Sequence, residues 1–283
     1  MSRTELKNKN YSKELATFIR SGLSKEELRK RLSNYHENDI ADALEWLTAA
    51  ERKRLYQILG VQRIAEILSY VDDPEIYFNE LTIANAAKVI SLMDSDDAVD
   101  VLENLEEERK REIVKRLDKE AGEDIRMLLS YDEEEIGSCM TTNYVCIRKD
   151  VSIRQAMSEL VRQAGENDNI STIYVVDEQE HFFGAIDLKD LIVARDNVEL
   201  DNIIIHSYPY VLDHEKIDDC IDRIVEYSED SIPVLKEDGT ILGVITSEDI
   251  VELVDNEMGE DYAKLAGLTA EEDLNETTVA SMK

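Results

Sequence analysis

The sequence predicts an α+β chain: an all-α superhelical region, then a doubled strand–helix–strand–turn–strand–helix unit. Three observations carry this. Up to about residue 131 apolar residues recur at spacings of three and four, and only Pro74 of the three prolines falls there. Within that region "DIADALEWL" (39–47), "RIAEILSYV" (63–71) and "NAAKVISLM" (85–93) repeat a small Ala followed by larger aliphatics. After "YDEEEIGSCMTTNYVCIRKD" (131–150) the pattern changes, and two longer repeats align with each other.

In the helical part Ala41, Ala65 and Ala87 stand 24 and 22 residues apart, a period that suits one helical hairpin, or one helix plus linker, per stacked unit. Asp39, Thr82 and Ser95 are the expected N-caps. In the second part "STIYVVDEQEHFFGAIDLKDLIV" (171–193) aligns with "DSIPVLKEDGTILGVITSEDIVE" (230–252) at a constant offset of 59, pairing Gly184 with Gly243 and Asp190 with Asp249. Upstream, "DVSIRQAMSELV" aligns with "HEKIDDCIDRIV" at an offset of 64, and the difference falls in the polar stretch "RQAGENDN", where a loop is expected. "KEDG" between apolar runs signals a hairpin.

The 283 residues include 64 acidic and 32 basic ones, for a formal net charge of −32. That balance argues against nucleic acid and anionic membrane surfaces as partners and favours cations or basic ones. Cys139, Cys146 and Cys220 have no CxxC spacing, which suggests a reducing compartment without structural disulfides. The polar N-terminus carries no secretory signal pattern, and no apolar run approaches the roughly 18 residues of a membrane helix, so a soluble, cytoplasmic chain is expected. His36, His181, His206 and His214 are never at metal-ligand spacing. Without GxSxG, Walker, HExxH or GxGxxG patterns, catalysis is not expected.

The stretch "SEDIVELVDNEMGEDYAK" (247–264) holds seven carboxylates and one base. At helical spacing Ile250, Val251, Val254, Met258, Tyr262 and Leu265 share a face, and Asp249, Glu252 and Glu260 lie opposite. Like charges at i, i+3 or i, i+4 weaken a helix by roughly 0.2–0.5 kcal/mol per pair, and a divalent cation reverses the sign. Mg²⁺ suits such carboxylates, because it is hard, prefers oxygen and keeps several waters. "DSDDAVD" (94–100) lacks the central Gly of an EF-hand loop.

The entry "MTTNYVCIRKDVSI", "IYVVDE…GAIDLKDLI" and "IPVLKEDGTILGVITSEDIVEL" resemble a tandem pair of CBS domains. With "ALEWL…AEILSYV…AAKVISLMDSDDAVDVLENL" and "YDEEEIGSCMT" before them, nearly the whole chain resembles the cytosolic part of an MgtE-type magnesium channel. The resemblance implies a helical N-type domain over 1–131, β-α-β-β-α CBS domains over 132–200 and 201–258, and the start of a connecting (plug) helix over 259–283. It implies a homodimer through the CBS faces, attachment to the protein's own transmembrane pore domain, which is missing from this sequence, and a place at the cytoplasmic face of the cell membrane. The chain is then either a piece of a longer protein or a stand-alone regulator.

The same resemblance places regulatory Mg²⁺ ligands at Asp96 and Asp100, at Asp218 and Asp249, and at Glu252, Glu257, Glu260 and Asp261. One family ligand position falls on Ser228, with Glu229 or Asp230 as neighbouring substitutes. Each residue also has a structural reading. Asp249 completes a capping-box pattern with Thr246, Asp96 suits a helix N-terminus, and Glu257 and Asp261 suit a solvated face. A site with a dissociation constant near the ambient ion level contributes about 0.4 kcal/mol, rising to about 1.4 at tenfold excess. Switching a two-state equilibrium takes roughly 5.5 kcal/mol, so several weak sites acting together are required. The alternative is a soluble adenine-nucleotide sensor. "GVITSED" (243–249) fits a CBS nucleotide turn, with Thr246 and Asp249 in the ribose and phosphate roles, and ATP is then the cofactor. "GAIDLKD" (184–190) departs from it, since Asp187 replaces the hydroxyl.

Overall fold

The computed structural model describes residues 11–254 apart from 72, 166 and 196. Glu257, Glu260, Asp261 and the connecting helix expected over 259–283 lie outside the described residues. The chain divides into two compact units, Met1–Leu129 and Ser130–Lys283.

The first unit is helical: α1 (Ser12–Arg20), α2 (Lys25–Leu32), α3 (Glu37–Leu44), α4 (Ala49–Leu59), α5 (Val61–Leu68), α6 (Pro74–Asn79), α7 (Ile83–Ile90), α8 (Ser95–Glu103), α9 (Glu107–Val114) and α10 (Lys119–Leu128). Helices this short are marginal alone, so packing must hold them. Each odd-numbered helix from α1 to α7 packs on the next odd-numbered one, which builds the superhelix. The repeated Ala41, Ala65 and Ala87 are buried at those contacts, beside Ile40, Leu44, Ile64, Leu68 and Ile90. Ser24 and Thr48 each close a capping box with the Glu three residues on, and Thr82 accepts from the Asn85 N–H. Two expected caps shift. The α3 cap is His36, whose extended backbone lets its ring nitrogen accept from the Asn38 N–H, so Asp39 sits inside the first turn. The α8 cap is Asp94, and Ser95 is the first helical residue.

Helix C-termini in this unit are closed by arginines from neighbouring helices. Arg29 donates to the Ile58 carbonyl, Arg63 to Leu32 and Tyr35, Arg52 to Leu44 and Leu47, Arg109 to Phe78 and Leu81, and Arg20 to Trp46. Each guanidinium satisfies carbonyls that a helix end leaves without intrahelical partners and complements the negative end of the dipole.

The second unit holds β1 (Val145–Arg148), α11 (Ile153–Gln163), β2 (Thr172–Val176), β3 (Phe182–Asp187) and α12 (Leu188–Val193), then β4 (Val211–Leu212), α13 (Ile217–Tyr227), β5 (Ser231–Leu235), β6 (Ile241–Thr246) and helical residues 247–254. The sheets run β1-β2-β3 and β4-β5-β6, each with a parallel pair and an antiparallel hairpin. The central strands β2 and β5 are buried along their whole length, as near-continuous apolar runs require. The expected "KEDG" hairpin forms with Gly239 at φ 89°, and Glu180 takes the equivalent left-handed position in the first repeat at φ 63°.

The repeats are interlocked. Thr141, before β1, bridges Val244 of the second sheet, and Ile205, before β4, bridges Ala185 of the first. Gly184 and Gly243 permit this approach: a Cβ on Gly184 would lie 2.7 Å from the Ile205 carbonyl oxygen, and one on Gly243 would lie 2.6 Å from that of Thr141. Between the halves the Tyr174 hydroxyl meets Ser231 Oγ at 2.6 Å, and the Tyr208 hydroxyl donates to the Ser231 carbonyl at 2.8 Å.

Candidate functional site

The two motif turns occupy matching places at the ends of β3 and β6. Leu188 N–H donates to the Ser171 carbonyl at 2.8 Å, and Ser247 N–H donates to the Asp230 carbonyl at 2.9 Å. Their side chains then diverge. Thr246 and Asp249 close a reciprocal cap: Asp249 Oδ2 accepts from the Thr246 N–H at 2.6 Å and from its hydroxyl at 2.7 Å, and Thr246 Oγ1 faces the Asp249 N–H at 3.4 Å. The structural reading of Asp249 is thus realised, and Oδ2 is engaged within its own turn. In the first repeat Asp187 is the N-cap of α12 and makes no side-chain capping bond.

Residues 228–230 bring acid to the same region. Ser228, at φ 53°, ends α13 in the left-handed conformation. Glu229 follows, partly buried, and burial lifts its pKa, with the charge of Asp187 adding to the rise. Asp230 contributes more weakly in the same direction, while a hydrogen bond from Tyr208 opposes it. Glu229 was legible only as a substitute for Ser228. Its approach to Asp187 depends on the fold of the two repeats and has no local sequence signal.

Asp96 is half-buried in the first turn of α8, where its charge suits the helix N-terminus, and Asp100 is exposed one turn on. Asp218 is exposed in the first turn of α13, and Glu252 is exposed in the helix over 247–254. Of the expected apolar face there, Ile250 is buried and Val254 half-buried, but Val251 is 62% exposed. At about 100° per residue, neighbours cannot both sit at the centre of one buried stripe. Among the described residues, no three His, Cys, Asp or Glu side chains are grouped to hold a metal ion, and Thr246 and Asp249 are in direct contact. The histidines serve locally: His36 caps α3, and His214 Nδ1 lies 2.9 Å from Glu135 Oε1. Burial pushes the Cys146 and Cys220 thiols up to about 12, which leaves both unreactive.

The arrangement offers hard oxygen donors on exposed helix turns and a partly buried Glu229 that senses the charge of Asp187 in the other repeat. That chemistry suits cations, or anions already carrying one.

Comparison with known proteins agrees with this architecture. The MgtE intracellular N domain matches residues 35–134, and the CBS domain matches 134–197 and 200–256. The chain is 37% identical over 153 residues to the magnesium transporter MgtE of Enterococcus faecalis, covering 54% of this chain and 34% of that one. It is 26% identical over 246 residues to MgtE of Thermus thermophilus, covering 85% of this chain and 55% of that one. The chain thus spans between a third and just over half of these relatives. A crystal structure of the soluble part of a magnesium transporter superposes with a TM-score of 0.82 at 28% identity, covering 87% of this chain and 99% of that one. The cytosolic domain of the Mg²⁺ channel MgtE in complex with ATP gives 0.76 at 25% identity, covering 86% and 99%. The chain thus carries an MgtE intracellular N domain followed by a tandem pair of CBS domains.

Proposed function

We propose that this chain is the Mg²⁺-sensing regulatory region of a magnesium transporter or channel, acting at the cytoplasmic face of the membrane on a pore domain of the same protein. The observation that carries the reading is the succession of an MgtE N domain and a CBS pair in one strongly acidic chain. The role is regulatory rather than catalytic. Mg²⁺ would be held by one or two carboxylates at a time, with the rest of its shell water, which exposed, ungrouped donors permit. Asp96, Asp100, Asp218, Asp249 and Glu252 are the candidates among the described residues, with Glu257, Glu260 and Asp261 beyond them. Bound Mg²⁺ neutralises acidic faces that otherwise repel and favours a compact, closed state. Its loss lets that repulsion open the linked pore. The domain limits 1–131, 132–200, 201–258 and 259–283 belong to the same reading.

Dimerisation through the CBS unit fits its exposed apolar residues. Val161 and Val225 occupy matching positions in the two repeats, as do Ile192 and Val251, and they are 68, 45, 62 and 62% exposed. Small-angle scattering and protease protection with and without millimolar Mg²⁺ test the main reading. Compaction and slower cleavage are expected; unchanged scattering and cleavage would sink it.

A nucleotide is a second, accessory ligand, favoured by the ATP-bound relative and by the Thr246–Asp249 turn. Asp187 and Glu229 would repel a bare phosphate, so the metal complex is the expected form. Calorimetric titration with ATP at fixed Mg²⁺ and with Mg²⁺ withdrawn should give binding only in the first case.

A further inference from the structure

One edge of the helical unit carries a feature that the magnesium reading does not use. Trp46, Tyr70 and Leu92 each stand two residues beyond the end of α3, α5 and α7, at the period of the buried alanines. These helices stack in that order, so the three side chains recur along one edge. They are 47, 40 and 45% exposed, and Ile76 of α6 is 52% exposed. These four are the exposed large apolar residues among the described part of the first unit. Scattered singly they would be ordinary, but a repeated run beside a concavity marks an interaction surface.

The concavity is a groove of about 370 Å³ between α3 and α6, with Tyr70 and Ile76 on its apolar side. Its charged lining is Asp42, Glu45, Asp73 and Arg52. Arg52 is already engaged by Glu80 and by the Leu44 and Leu47 carbonyls, so the groove presents acid to an incoming group. Glu45 adjoins Trp46, which ties groove and ladder together.

We propose that this edge is a docking surface for a basic amphipathic segment of a partner protein, whose large apolar side chains cover Tyr70 and Ile76 while Lys or Arg heads meet Asp42, Glu45 and Asp73. Charge selects this occupant. A second copy would bring its own acidic face, and the chain after residue 254 is itself acidic. A basic segment pairs its charges with the three carboxylates as its apolar residues leave water.

Trp46 is the single tryptophan, so the surface contains its own reporter. The full chain is titrated at physiological salt with a short Lys/Leu peptide of helical periodicity, and with a scrambled peptide of identical composition. Saturable change in Trp46 emission is expected with the first, at least about tenfold tighter than with the second, since a shuffled pattern cannot present both faces. Ile76→Ser should weaken binding about tenfold with an unchanged melting curve, and Asp42→Asn with Glu45→Gln should weaken it and flatten its salt dependence. Equal binding of the two peptides would mean non-specific attraction to an acidic protein and would overturn the proposal. So would binding indifferent to Ile76→Ser, or an emission change on dilution without peptide, which would assign the edge to self-association. Because the readout needs no Mg²⁺, its failure leaves the magnesium reading untouched.

Discussion

Replacing Arg52 by Met should be among the most destabilising single changes in the helical unit. Its Nε lies 3.0 and 3.1 Å from the two Glu80 oxygens, and its Nη1 lies 3.1 and 2.6 Å from the Leu44 and Leu47 carbonyls. The two side chains are only 12 and 11% exposed. Methionine fills similar volume but strands a Glu80 carboxylate with little water and takes from the Leu47 carbonyl its arginine donor, while the Leu44 carbonyl keeps the Leu47 N–H. Breaking a buried pair from one side costs about 3–5 kcal/mol. For a unit the size of Met1–Leu129, each kcal/mol moves Tm by roughly 4 °C, so a drop of about 12–20 °C is expected. Urea unfolding followed by Trp46 emission reports this unit selectively, because no other tryptophan contributes. Removing Glu80 as well, in R52M/E80M, should recover a large part of the loss, since no charge is then left buried alone. A loss below about 1 kcal/mol for R52M, or no recovery in the double variant, would refute the description of this pair as a coupled, desolvated clamp.

Other expectations follow from the second unit. Gly243→Ala drives a methyl against the Thr141 backbone and should cost about 1–3 kcal/mol, read as a lower melting temperature by calorimetry. Glu180→Gly relieves a left-handed residue that faces its glycine counterpart in the other repeat, and should stabilise by roughly 0.5–1 kcal/mol in the same measurement. The His214–Glu135 pair predicts a pH window. Glu135 and the charge of Asp213 raise the pKa of His214 above its ordinary 6.5, so its contribution is present below that value and lost as pH rises through the raised one. Glu135 is lowered from 4.5, first by the Asp132 backbone N–H and then by His214, so its contribution is lost only as pH falls through the lowered value. Denaturation midpoints should therefore respond less to pH across the neutral range in His214→Gln than in the parent. Thr246→Val removes the capping hydroxyl and should cost about 1 kcal/mol while leaving Mg²⁺-dependent compaction intact, whereas Asp100→Asn with Asp218→Asn should do the reverse.

The parts of the fold that local periodicity encodes were readable in the sequence. The alanine repeat placed α3, α5 and α7, and the doubled segments placed both sheets and the hairpin at Gly239, because burial on one face imposes those spacings directly. Residues acting across the fold were not readable. Nothing near Arg29, Arg63 or Arg109 in sequence indicates that each closes a helix end some thirty residues away, since an arginine in an acidic, helical stretch also reads as a surface charge. His36 displaced Asp39 as a cap because the choice depends on backbone conformation at the helix start. Thr246 and Asp249 were paired correctly by their spacing, whereas the approach of Glu229 to Asp187 needed both repeats in place.

The exchanged entry segments bear on how the chain is made. Thr141 finds its partner Val244 about a hundred residues later, so this entry segment stays unpaired while the second sheet is still being synthesised. Neither repeat is then a complete folding unit, and separating them would expose a strand edge and a glycine-lined slot on each. A ribosome-bound intermediate ending before β6 should accordingly be susceptible to protease around residues 140–145, and protection there should arrive in one step when β6 emerges.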